Sequence, residues 1–158
     1  IGFPTQSGAT VPVPATSGYA LEKWNLPLTD LREVEKVSND KNYRVIDVRS
    51  RERYDGDTEP IDLIAGHIPG AINIPFTENL GANGQFLSPA DLNKKYKELL
   101  RNAGPENTIV HCGSGVTACH TLLAMDLAGL EIPRLYVGSW SEWSRCDKPI
   151  ATKETEMK

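Results

Sequence analysis

Apolar residues fall in short bursts along this chain, and the period of the bursts changes from one segment to the next. Leu31, Val34 and Val37 recur at helical spacing, with Thr29 placed to cap them and "NDKN" to stop them, so a helix is predicted before the strand-like run "YRVIDV" at 43–48. "SRERYD" reads as a short polar helix or turn. A loop through Pro60 then leads to "GHIPGAINIPF", where Gly66, Pro69 and Gly70 punctuate the chain and "AINI" has room for a brief strand. Ser88, Pro89 and Asp91 make a strong helix start, Leu92, Tyr96, Leu99 and Leu100 share its apolar face, and Gly104 stops it. "NTIVHC" is a strand, 117–128 a helix ending at Gly129, and "RLYVG" a last strand. Strands separated by helices predict an α/β fold: a central parallel sheet with helices on both faces. Ligands of such sheets bind beyond the carboxyl ends of the strands.

Composition narrows the picture. The chain has 158 residues, 39% hydrophobic and 24% charged, enough for one globular domain with a real core. Residues 1–20, "IGFPTQSGATVPVPATSGYA", lack periodicity and read as an extended linker; 21–152 make the domain and 153–158 a C-terminal tail. A net charge of −4, spread without long runs, gives no footprint for nucleic acid or an anionic membrane. No apolar run approaches the roughly 18 residues of a membrane span. Cys112, Cys119 and Cys146 form neither a CxxC pair nor an even framework, which argues against a metal cluster or a secreted disulfide scaffold and for a reducing compartment, the cytoplasm.

The candidate chemistry sits at "VHCGSGVTACH". Cys112 falls at the carboxyl end of a predicted central strand, and Gly113, Ser114, Gly115, Val116 and Thr117 precede the body of the next helix. Two glycines in three positions let the backbone curl with its N–H groups inward, at the positive end of the helix dipole. A cradle of that kind holds an anion and stabilises a thiolate, which makes Cys112 the expected nucleophile. Two chemistries use a strand-Cys-loop-helix element. The protein tyrosine phosphatase pattern HCxxxxxR requires an arginine six positions after the cysteine, where this chain has Ala118, so a phosphatase-like hydrolase is the weaker enzyme reading. Sulfur transfer is the stronger.

Other residues carry less. Arg49 and Arg51 read as solvated charges on a short surface helix, and His67 as a turn residue rather than a base. His111 should alternate to the opposite strand face from Cys112. Cys119 is expected in the core, Cys146 exposed and unpaired, and Trp140 and Trp143 as walls of the cleft or covers of the core.

The segments "VIDVRSRERY", "GHIPGAINIPF", "CGSGVTACH" and "YVGSWSEW", in this order over residues 45–143, resemble the rhodanese superfamily, and more narrowly its thiosulfate and 3-mercaptopyruvate sulfurtransferases. "CGSGVT" is more similar to the mercaptopyruvate branch than to the "CRKGVT" of the thiosulfate branch. The resemblance implies a transferase without metal or organic cofactor. Cys112 would take a sulfane sulfur as a persulfide and pass it to cyanide or a thiol, Arg53 would bind the small anionic donor, and Gly113, Ser114, Gly115, Val116 and Thr117 would supply loop amides and a hydroxyl. The alternative, from a different class, is a sulfur-carrier or regulatory module in which Cys112 holds a persulfide for a partner protein without efficient turnover. "IGFPTQSG" resembles the tail of a preceding rhodanese unit, which would make the chain the catalytic C-terminal half of a tandem protein with an N-terminal rhodanese domain. Two departures stand out: Val137 replaces the family's Asp in "YDGSW", and "DTEPIDLIAGH" lacks the second arginine of the mercaptopyruvate branch.

Overall fold

The computed structural model describes Gly8, residues 25–100 and residues 103–156; the predicted linker and preceding tail at 1–20 lie outside the described residues apart from Gly8. Five strands form one all-parallel sheet in the order β1-β5-β4-β2-β3. They are β1 (Leu28–Thr29), β2 (Arg44–Asp47), β3 (Ile72–Asn73), β4 (Thr108–His111) and β5 (Arg134–Tyr136). The helices are α1 (Leu31–Val37), α2 (Arg51–Asp55), α3 (Pro89–Leu100), α4 (Val116–Leu127), α5 (Ser139–Trp143) and α6 (Lys153–Glu156).

Each face of the sheet has its own core. Ile46, Val110 and Leu135 pack with Leu92 and Tyr96 of α3 and with Ala118, Leu122 and Met125 of α4. Val45, Ile109 and Tyr136, the alternate positions of the same strands, pack with Val34 and Val37 of α1, Tyr54 of α2, and Trp140 and Trp143 of α5. The α/β expectation with helices on both faces therefore holds. Central β4 is buried at every position, as a strand covered on both sides must be.

Two local expectations are corrected, and one strand is added. Asp30, not Thr29, caps α1: its carboxylate accepts from the Glu33 amide, while Thr29 is drawn into β1 beside Tyr136. Strand β1 itself carries no readable period, because two residues cannot show one, and it exists through pairing with β5. Cys119 is exposed on the outer side of α4, since its neighbour Ala118 takes the inward position; Cys146 is exposed as expected. Trp140 and Trp143 are both fully buried, so they cover the core. Among the described residues no helix is long and apolar enough to cross a membrane.

Candidate active site

Register brings the site together. Asp47 pairs with His111 across β2 and β4, so the two central strands end level and their following loops leave the same edge of the sheet. Cys112 comes next after β4, 2% exposed, with its side chain in the α3–α4 core. His111, one position earlier, lies near the Tyr136 ring on the other side, as alternation predicts.

The loop after Cys112 is fixed by its carbonyls. The Trp140 amide donates to the Cys112 carbonyl at 3.0 Å and the Ser141 amide to the Gly113 carbonyl at 2.8 Å, so the start of α5 anchors the start of the loop. The Ser139 hydroxyl accepts from the Cys112 amide at 3.2 Å and donates to the Tyr136 carbonyl at 2.9 Å. Ser139 holds this position with φ 55, a backbone region that costs a non-glycine residue about 1 kcal/mol or more. Gly115 turns the chain into α4 with φ 85, and a Cβ there would lie 3.1 Å from the Val137 carbonyl oxygen. Outside α4, none of the amides from Gly113 to Thr117 donates to another group of the described residues. They stand at the N-terminus of a twelve-residue helix, where partial positive charge accumulates. Ser114 and Val116 are exposed at the mouth, and Thr117 is half-buried.

Opposite the loop stands a wall of charge. A Cβ on Gly113 would lie 3.5 Å from Arg53 Nη2 and 3.7 Å from both Arg53 Nη1 and Asp62 Oδ2, which places the guanidinium against the residue following Cys112. Arg53 Nε donates to both Glu59 carboxylate oxygens at 2.9 and 3.0 Å, and Nη2 to Asp62 at 3.2 Å. Its Nη1 group has no partner among the described residues. Asp62 also accepts from the Ser141 hydroxyl at 2.6 Å and from Arg145 at 3.1 Å. Behind Arg53, Arg49 binds Asp47 through two nitrogens, Glu59 at 3.1 Å and the Gly66 carbonyl at 2.6 Å, and lies 4.6 Å from the Trp140 ring centre. Arg49 is therefore a buried structural cation, against the expectation of a solvated charge; Arg51 is exposed as expected.

The buried groups respond to this wall. Burial acts to raise the Glu59 carboxyl, but the hydrogen bonds from Arg53 and from the Asp62 and Ile61 amides hold it below its ordinary range. Burial holds His111 below the ordinary histidine range against the attraction of Asp47, 3.9 Å away. Burial likewise opposes ionisation of Asp47, which is nonetheless kept low; a neutral His111 adds no charge, so we credit Arg49 with that result. His67 is fully buried, stacked on Tyr54 with ring centres 3.7 Å apart, and its Nδ1 meets the Tyr54 carbonyl at 2.7 Å. Its backbone pairs with Ala151, which suits a turn-fixing residue.

Of the residues expected at the site, Arg53 and Gly113 are juxtaposed, and Cys112 to Thr117 form the loop. Sequence reasoning did not find Glu59, Asp62, Ser139, Ser141 or Arg145. The one signal available for the first two was the acidic pair in "TEPID", which carries no period.

The fold is thus a parallel α/β domain with a cysteine at the tip of its central strand, followed by a glycine loop that lies against an arginine. The model of the rhodanese-like domain family matches residues 30–146, and the chain belongs to that family. A probable 3-mercaptopyruvate sulfurtransferase of Pseudomonas aeruginosa is 50% identical over 109 residues, covering 68% of this chain and 38% of the relative. A thiosulfate sulfurtransferase of Gallus gallus is 34% identical over 157 residues, 99% of this chain and 53% of the relative. The crystal structure of Tum1 from Saccharomyces cerevisiae superposes with a TM-score of 0.68 at 28% identity, over 80% of this chain and 47% of that one. The chain thus spans about half the length, or less, of the curated relatives it matches.

Proposed function

We propose that this domain is a sulfurtransferase that carries a sulfane sulfur on Cys112, taken from 3-mercaptopyruvate or thiosulfate and delivered to cyanide or a thiol. The observation that carries the reading is the placing of the Arg53 guanidinium, with its Nη1 group open, against Gly113 directly after Cys112. The Cys112 thiolate attacks the donor's transferable sulfur, the outer sulfur of thiosulfate or the thiol sulfur of 3-mercaptopyruvate, and a new S–S bond forms. The donor's own bond to that sulfur breaks, leaving sulfite from thiosulfate, or the enolate of pyruvate, which takes a proton, from 3-mercaptopyruvate. An acceptor thiolate or cyanide then attacks the outer sulfur, and Cys112 leaves as the thiolate. Arg53 Nη1 binds the donor's anionic group, and the amides of Gly113 to Thr117, with the Ser114 hydroxyl, stabilise the charged sulfur at the head of α4. The buried position of Cys112 would shield the persulfide from water and stray thiols.

A phosphatase reading finds no support, since the position that would need an arginine is a fully buried alanine, Ala118. The span of about half the relatives' length supports reading the domain as the catalytic part of a longer protein that also carries an N-terminal rhodanese domain. Three free thiols suit the cytoplasm.

Intact-protein mass spectrometry tests the reading. Incubation with 3-mercaptopyruvate or thiosulfate should add one sulfur atom to the wild type and none to Cys112→Ser. Equal addition to both proteins would refute Cys112 as the carrier.

A further inference from the structure

We propose that Asp62 is a charge selector for this site: its carboxylate sets the preference for singly over doubly charged donors. The inference rests on the sulfurtransferase reading and names a specificity residue within it.

Charge balance along the wall supports the assignment. Asp47, Arg49, Glu59, Arg53, Asp62 and Arg145 are linked in that order, carboxylate alternating with guanidinium, three of each. The wall is close to neutral as a whole, so what an anion feels depends on which members reach the loop. At Gly113 the nearest atoms to the Cβ position are Arg53 Nη2 at 3.5 Å and Arg53 Nη1 and Asp62 Oδ2 at 3.7 Å. Nη2 is taken by Glu59 and Asp62, so an anion against Gly113 meets the open Arg53 Nη1 group and one carboxylate oxygen at similar range. Glu59 lies farther back in the chain of pairs, shared between Arg49 and Arg53 and accepting from the Ile61 and Asp62 amides.

Asp62 is held there firmly. Its side chain is 1% exposed, so water screens it little, and Arg53, Ser141 and Arg145 fix both carboxylate oxygens. Arg145 is half-exposed, so its compensation of the Asp62 charge is weakened by solvent. Coulomb repulsion scales with ligand charge. A factor lost by a monoanion to one fixed carboxylate is squared for a dianion. A carboxylate in this position thus costs thiosulfate more than it costs a 2-oxo acid.

Binding to Cys112→Ser protein, which cannot be sulfurated, separates this proposal from the transfer reading. Dissociation constants of thiosulfate and of pyruvate, as dianion and monoanion probes, are measured by calorimetry with and without Asp62→Asn, which preserves the Ser141 hydrogen bond and removes the charge. Pyruvate should tighten by about threefold and thiosulfate by about tenfold. Asp62→Glu, which keeps the charge, should leave the ratio of the two near its starting value. Arg145→Gln, at the half-exposed end of the wall, should move the ratio the other way, weakening thiosulfate more than pyruvate. Equal changes for both probes, a ratio unmoved by Asp62→Asn and Arg145→Gln, or no binding of either probe to any variant would overturn the proposal. Charge-selective binding without any mass gain on wild-type Cys112 would instead refute transfer and leave the selector standing.

Discussion

The two walls of the Cys112 site are built by opposite means. The loop wall, Cys112 to Thr117, is made almost wholly of backbone: glycines give the turn, carbonyls anchor it to α5, and the amides from Gly113 on have no partner outside α4 among the described residues. The charged wall is made of side chains from the end of β2 and the turn after it, from α2, the 59–62 loop and the turn after α5, tied by ion pairs. The first depends on what the chain can bend into. The second depends on each charge having its opposite in place, because a buried charge without a partner costs far more than a paired one contributes.

The comparison can be broken hardest at Arg49. Arg49→Ala strands the buried Asp47 carboxylate and takes from Glu59 one of its two guanidinium partners, and removal of one partner from a buried pair costs about 3–5 kcal/mol. For a domain of this size that is on the order of 10 °C in Tm, read by differential scanning calorimetry. Arg51→Ala, two positions on and exposed, should stay within about 0.5 kcal/mol. If both arginines behave alike, the charged wall is not a structural unit.

The backbone wall predicts a smaller contrast between its two glycines. Gly115→Ala forces a Cβ into a φ 85 residue, 3.1 Å from the Val137 carbonyl, and should lose about 1–2 kcal/mol. Gly113→Ala meets nothing nearer than 3.5 Å, without a positive φ, and should be close to neutral in Tm. Chemical denaturation of the pair decides it, and equal losses would mean the loop is not held by its turn.

The same contrast explains what was legible in the sequence. Cys112 at a strand end, the glycine turn and the start of α4 are local, written within six consecutive positions, and reading them needs no knowledge of distant partners. The resemblance added Arg53, which local reasoning alone left among three neighbouring arginines. The rest of the charged wall was invisible for a physical reason. Arg49 differs from Arg51 in burial only because Asp47 lies two residues before it and Glu59 ten after, and no period along the chain records that pairing. Asp62 became part of the site through contacts with Ser141 and Arg145, about eighty residues away. Strand β1 failed the same test, since its two residues are a strand only beside β5.

The smallest expected effect lies just past the loop, where Cys112 and Cys119 share a side-chain chemistry and differ in surroundings. Cys119, on the outer side of α4, borders an apolar groove with Leu26, Leu122, Leu123 and Ile132, whereas Cys112 lies beneath the loop. A water-soluble aromatic disulfide should therefore modify Cys119 and Cys146 quickly in the folded protein and Cys112 slowly, because thiol exchange follows access as well as thiolate content. Cys119→Ser should change stability by no more than about 0.5 kcal/mol and leave sulfur loading of Cys112 untouched. Were loading to fall with that substitution, the two thiols would act as a redox pair, and the division between a working loop and a passive outer helix face would have to be redrawn.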